Sequence, residues 1–268
     1  MLYGKLVVAL LSTVAAEKNQ STNQHIARYI LENRTKLAGM KIQQVARACG
    51  VGLGSISRFC REVGLNDFSE LKELIAEIPI AAVSSPGQSY EQRVVRREHN
   101  AEASLSAAAE ALLMPETKAK IAALCEDLRR YPRAAAFGML RSESVAFGLQ
   151  TEMIGCGKLI YTTLSYGRQI EYIESATKDD LILIFSNEGV YFEYQYPDGY
   201  PACLAAPKIY ILTSGNRTYP PCIDEVIRLR HPAGQPTHPY YMQLAADVIV
   251  REYAARYGRP DFPAIGNP

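Results

Sequence analysis

The chain has 268 residues, 48 % apolar and 21 % charged, the make-up of an ordinary globular protein, and at roughly 100–200 residues per domain it has room for two. Twenty-nine Lys+Arg against 28 Asp+Glu leave a formal charge of +1, which excludes a wholly basic nucleic-acid coat and an acidic solvating tail. The basic excess sits in front: residues 1–80 hold 10 basic and 7 acidic side chains, residues 81–268 hold 19 and 21, so a localised DNA-binding surface is permitted.

The first apolar run, Met1–Ala16, has two readings. A single Lys5, the stretch Leu6–Leu11 and the small residues after Val14 resemble a short signal peptide. Leu2, Leu6, Leu10 and Val14 also recur every fourth residue, the stripe of an amphipathic helix, and this reading is favoured because the motif that follows belongs in the cytoplasm. The run is shorter than the about 20 residues a bilayer needs. Ser21 and Gln24 open a second helix with a capping box, and it ends near Asn33. A turn at 35–39 leads to a third helix over Lys41–Cys49. Gly50 ends that one, and a fourth runs from Leu53 to Val63 with Gly64 as its C-cap. Asp67 caps a fifth, which Pro79 stops. The expected domains are 1–78, a polar linker over 79–90, and 91–268.

Beyond the linker, Tyr90–Leu113 forms a long helix, and Pro115 opens another that reaches Arg130. From Arg133 the periodicity changes. Buried strands are expected at Ala134–Gly138, Leu159–Thr162, Asp180–Ser186, Lys208–Thr213 and Glu225–Leu229, with helices near 142–156, 168–175 and 240–257. Strands alternating with helices imply a five-stranded parallel sheet covered on both faces, so the fold class is α/β with an all-α front domain of five helices. The segment 190–200 carries five aromatics, broken by prolines and a glycine, and is read as packing against the sheet rather than as a ligand wall.

The strongest signal is the stretch from Ile42 to Arg61. Val45, Ala46, Cys49, Val51, Ile56 and Phe59 take the apolar positions, Ala46 is small where two helices approach, and Gly50 turns the backbone. This is helix-turn-helix spacing, which lays the second helix in a DNA major groove. Gly54, Ser55, Ser57, Arg58 and Arg61 then fall on or beside the reading face, and Lys41, Gln43 and Gln44 reach phosphates. Arg58 suits a bidentate contact to guanine. The rival is a purely structural helix pair; agreement at every apolar position favours DNA. A two-fold dimer would place its reading helices about 34 Å apart, or a multiple of that.

The run Ser57-Arg58-Phe59-Cys60-Arg61-Glu62-Val63-Gly64-Leu65, with Phe68 and Glu70-Leu71-Lys72, resembles the N-terminal domain of RpiR-type transcriptional regulators. Gly52 departs from that pattern, where a serine is usual. The resemblance implies a C-terminal SIS (sugar isomerase) domain that binds phosphosugars. Its first loop corresponds to Gly138, Arg141, Ser142 and Ser144, with Leu140 in place of a second glycine. Its second loop corresponds to Ser186, Asn187, Glu188 and Gly189, with Glu188 where a serine is usual. A carboxylate at 188 facing the site opposes a phosphate dianion by about 4 kcal/mol at 4 Å. Two readings follow: a phosphosugar or related metabolite as effector, or a vestigial pocket whose domain serves dimerisation.

An isomerase is the remaining alternative. Glu143, Glu152 and Glu188 qualify as bases by position only, and His25, His99, His231 and His238 are scattered, so no enzyme is expected. Six cysteines without C-x-x-C spacing imply reduced thiols and no zinc. The expectation is a cytoplasmic regulator of carbohydrate metabolism without cofactor or metal, a homodimer or homotetramer on double-stranded operator DNA.

Overall fold

Apolar residues at helical spacing build the front half. In the computed structural model, which describes residues 5–16, 21–76, 87–196, 199–230 and 239–258, six helices occupy it. They are α1 (Lys5–Ala16), α2 (Thr22–Glu32), α3 (Arg34–Leu37), α4 (Ile42–Ala48), α5 (Leu53–Glu62) and α6 (Phe68–Ala76). The sixth is the short α3, where the sequence suggests only a turn. Four residues are too few for a hydrophobic period to show, and Leu37 alone carries its buried contact. Leu6, Leu10, Ile26, Ile30, Leu37, Val45, Ile56, Phe59 and Leu71 make one dry core. Leu2 and the linker residues 79–86 lie outside the described residues.

The expected caps are formed. Ser21 Oγ accepts from Gln24 N at 3.1 Å. Asp67 Oδ1 accepts from Ser69 N and Glu70 N at 2.8 and 3.0 Å, and Glu70 reaches back to Asn66 N at 2.7 Å.

The chain divides into two compact units, Met1–Ser84 with Thr163–Glu171, and Ser85–Thr162 with Tyr172–Pro268. Within the first, Ser12 Oγ donates to Leu164 O at 2.7 Å and accepts from Tyr166 N at 2.9 Å.

The second unit starts with α7 (Tyr90–Leu113) and α8 (Pro115–Arg130). Then come β1 (Arg133–Gly138), α9 (Arg141–Gly155), β2 (Asp180–Phe185), β3 (Lys208–Thr213), β4 (Glu225–Arg228) and α11 (Tyr240–Tyr257), while α10 (Tyr166–Ser175) is divided between the units after Glu171. The four strands are parallel in the order β1-β2-β3-β4. β2 is buried along its whole length, as an unbroken apolar run requires when both faces are covered.

Of the five expected strands, the second is a correction. Leu159–Thr162 contributes one parallel bridge, Ala135 to Tyr161, on the outer side of β1. Leu159 and Tyr161 stay exposed there, so the segment lacks the two-sided burial that would extend its pairing. After β2 there is a 3-10 turn at Phe192–Tyr194, and Tyr191, Phe192 and Tyr194 are buried, as expected of a segment packed against the sheet. Arg133 at the foot of β1 forks onto Asp180 at the foot of β2, at 2.8 and 2.7 Å.

Candidate functional site

In the first unit the functional geometry is the corner between α4 and α5. Gly50 takes φ +64°, the left-handed region where a side chain is penalised, and Val51 N donates to Ala46 O at 2.9 Å. Ala46 is buried at the close approach, and Ile56, Phe59 and Cys60 hold the inner face of α5. The outer face is polar. Gly54, Arg58 and Arg61 are exposed, while Ser55 and Ser57 are half-buried.

Arg58 is 66 % exposed and 3.8 Å from Glu62, itself held by Asn23 at 2.7 Å. An ion pair this open to water is worth about 0.5 kcal/mol, less than the about 1–3 kcal/mol of a bidentate guanine contact, so it does not tie Arg58 down. Arg61 Nε leans back on Ser57 O at 3.4 Å. Lys41 and Gln43 are exposed at the start of α4. Gln44 is exposed too, but its Oε1 caps Lys41 N at 2.7 Å, which leaves its amide N–H groups for outside contacts. Gly52 is the N-cap of α5 and gives no side-chain cap, as its lack of a hydroxyl dictates.

In the second unit the chain runs from β1 outward to the bridge at Tyr161 and returns across β1 to β2. The strand order therefore reverses between β1 and β2. In open α/β sheets ligands bind at such a reversal, beyond the carboxyl ends of the strands. Both loops singled out in the sequence emerge there.

In the first loop Ser142 N donates to Met139 O at 3.1 Å, closing a four-residue turn. Its second residue, Leu140, has φ 54° and ψ −114°, a place that favours glycine. Gly138 is buried, and a Cβ there would lie 2.6 Å from Ser142, so the strand end needs glycine for α9 to start where it does. Ser142 is buried with Oγ 3.8 Å from Met242 Sδ, whereas Arg141 and Ser144 are exposed, with Ser144 Oγ donating to Arg141 O at 2.6 Å.

The second loop is knitted to β3 and α11. Ser186 is buried, with N bonded to Leu212 O at 3.0 Å. Asn187 O accepts from Ser214 Oγ at 2.8 Å, and its Oδ1 accepts from Tyr241 OH. Gly189 takes φ +76°, and its O accepts from Tyr219 OH at 3.2 Å. Glu188 is half-buried; burial first, and its charge second among the upward influences, push Tyr241 up to about 12. Tyr241 and Ser214 are site residues that sequence reasoning missed: they lie 54 and 27 positions from Asn187, with no motif around them.

Glu143, on the first turn of α9, is unusual. Its Oε1 is buried and has no hydrogen-bond partner, and burial pushes its carboxyl up to about 8. A cavity of about 830 Å³ lies along β4, with Lys120, Ser214, Asn216, Arg228 and Arg230 among its walls; no residue of the two loops lines it, and Ser214, which bonds Asn187, stands between the two places. Glu152 is exposed on α9. Among the described residues there is no cluster of three metal-ligating side chains, and no helix is long and apolar enough to cross a membrane.

Residues 9–78 match the model of the helix-turn-helix domain, rpiR family. An uncharacterized HTH-type transcriptional regulator in the aarA 3′ region of Providencia stuartii is 26 % identical over 179 residues, covering 64 % of this chain and 62 % of the relative. A second uncharacterized HTH-type transcriptional regulator, from Caldanaerobacter subterraneus, is 49 % identical over 51 residues, 19 % of this chain and 18 % of the relative. The matches thus span about three fifths of the first relative's length and under a fifth of the second's. Among solved structures, the Vibrio vulnificus NanR protein complexed with ManNAc-6P is 20 % identical, with a TM-score of 0.48 over 95 % of this chain and 92 % of that one.

Proposed function

We propose that this chain, whose residues 9–78 belong to the rpiR-family helix-turn-helix domain, is a DNA-binding transcriptional regulator controlled by a small metabolite. One observation carries the reading. The second helix of the α4–α5 pair buries Ile56, Phe59 and Cys60 and turns Gly54, Arg58 and Arg61 to solvent, the face that enters a major groove. Arg58 reads a base; Lys41, Gln43, Gln44, Ser55, Ser57 and Arg61 hold backbone or groove edge.

The proposed domains are 1–78 for DNA and 91–268 for effector and dimer, joined by 79–90. The effector is a phosphosugar or a related anionic metabolite. It sits over Gly138, Arg141, Ser142 and Ser144 and over Ser186, Asn187, Glu188 and Gly189, where the strand order reverses and the positive end of the α9 dipole favours an anion. The protein works as a cytoplasmic homodimer or homotetramer; a role without catalysis is supported by two relatives described as uncharacterized HTH-type transcriptional regulators. The effector acts by binding two arrangements of the reading heads with different affinity.

Selection of duplexes from random-sequence DNA with the full chain, followed by anisotropy at several salt concentrations, tests the reading. A half-site repeat and a steep fall of affinity with salt are expected. No enriched sequence overturns it. A thermal-shift screen against sugar phosphates tests the effector, since a ligand at 100 times its Kd stabilises by about 2.7 kcal/mol. Silence across the panel leaves the second domain to dimerisation, and turnover of a sugar phosphate overturns the non-enzymatic assignment.

A further inference from the structure

On the α4–α5 pair, Leu53 is the large apolar side chain that stands exposed among the described residues, at 46 %. A lone exposed leucine is ordinary on a protein surface. This one is set apart by its place. It is the first residue of α5, and Ser57 and Arg61 follow it at four-residue intervals, so it begins the same face that the regulator reading assigns to DNA. Its chain neighbours Gly52 and Gly54 carry no side chain, and a Cβ at either would meet nothing within 4 Å, so the backbone on both sides of it is open. The inner face of α5 is complete without it: Ile56, Phe59 and Cys60 are each fully buried.

The N-terminal residues of a reading helix lie closest to base edges in the major groove. The apolar group a duplex offers there is the thymine C5-methyl; the other edge atoms are hydrogen-bond donors and acceptors that a leucine leaves without partners. We infer that Leu53 reads sequence, packing its isobutyl group on the methyl of one thymine in each half-site. The inference rests on the DNA-binding reading above and adds a base identity to it.

The test uses the full chain and the duplex selected from random-sequence DNA. Each thymine of a half-site is replaced in turn by deoxyuridine, which removes one methyl and nothing else. Anisotropy then gives Kd for the wild type, Leu53→Ala and Leu53→Gln; the glutamine keeps side-chain length and helix propensity. For one thymine per half-site, loss of the methyl weakens the wild type about fourfold, the worth of one buried methyl group. Both variants bind the thymine and uracil duplexes equally, and their melting temperatures match the wild type.

A wild type indifferent to every methyl overturns the inference, and so does a methyl effect that survives in both variants. Uniform weakening of the variants on all sequences overturns it as well, because Leu53 then touches backbone or protein. Failure of the selection to enrich any duplex is a different result, which removes the DNA-binding reading itself.

Discussion

Replacing Glu143 by glutamine tests the electrostatics of the first loop. The Glu143 carboxyl is pushed up to about 8 from the ordinary 4.5 because burial opposes its ionised form, and no donor reaches its Oε1. At about 1.4 kcal/mol per pH unit the gap corresponds to about 5 kcal/mol. The solvent contact the residue keeps brings this to a few kcal/mol. The sign follows from proton binding: between about 4.5 and 8 the folded chain holds a proton that the unfolded chain has released. The stabilising contribution is therefore complete below 4.5 and is lost as pH rises through about 8. Glutamine mimics the neutral carboxyl at every pH. At pH 5 variant and wild type should unfold at nearly the same urea concentration. At pH 9 the variant should be the more stable by about 2–5 kcal/mol. Near-UV circular dichroism can follow the transition, carried by the 17 tyrosines of a chain without tryptophan. A stability difference that stays flat from pH 5 to 9 refutes the reasoning.

Gly50→Ala places a side chain at φ +64° with open space around it, so the cost is backbone strain alone, about 1–2 kcal/mol in urea unfolding. Gly138→Ala pushes against Ser142 at 2.6 Å; α9 must shift, stability falls by about 1–3 kcal/mol, and any thermal response to sugar phosphates shrinks. Asp180→Asn removes the charge and one of the two oxygens that accept from Arg133, Thr177 and Tyr172, the Arg133 bonds foremost among those holding Asp180 well below the carboxylate range. Solvent screening limits the loss at pH 7 to about 1–2 kcal/mol. The stabilisation is present above the unfolded carboxylate's range and lost as pH falls through the lowered folded value, so the gap to wild type should close in acid. Arg58→Ala should weaken binding to the selected duplex by about 1–3 kcal/mol and relax the preference at one base pair, measured by anisotropy.

Periodicity makes the long elements legible in the amino-acid sequence. Tyr240–Tyr257 and Lys208–Thr213 fall where the sequence places them, because each carries enough apolar residues to show its period. What the sequence hides is short or distant. α3 has four residues, and 159–162 keeps Leu159 and Tyr161 in solvent, so an apolar composition there does not become a strand. Gly50 is readable as a corner because few residues other than glycine tolerate a positive φ, whereas Leu140 takes a positive φ against its own preference, and the glycine usual at that place in the resembled family is the one hint of it. The face of α5 is legible from the helix pattern, yet Leu53 escapes it, since an apolar residue at a helix start reads as core until its exposure is seen.

The second loop shows what an effector must overcome in the proposed reading. Asn187 already spends its side-chain oxygen on Tyr241 and its carbonyl on Ser214. Each such bond is worth about 0.5–1.5 kcal/mol net, and a ligand that takes Asn187 must replace them. A phosphate at the positive end of α9 that draws Arg141 inward gains charge-assisted bonds of about 1.5–3 kcal/mol each, enough to outweigh one displaced neutral bond; without Arg141 the charge of a facing Glu188 goes unopposed. Tyr241 is the second residue of α11, fully buried and within 3.1 Å of Ser214 Oγ as well, so a ligand that draws Asn187 away removes one of several contacts that hold the start of that helix. In the proposed reading the Asn187–Tyr241 bond is the link through which occupancy of the second loop would reach the first turn of α11.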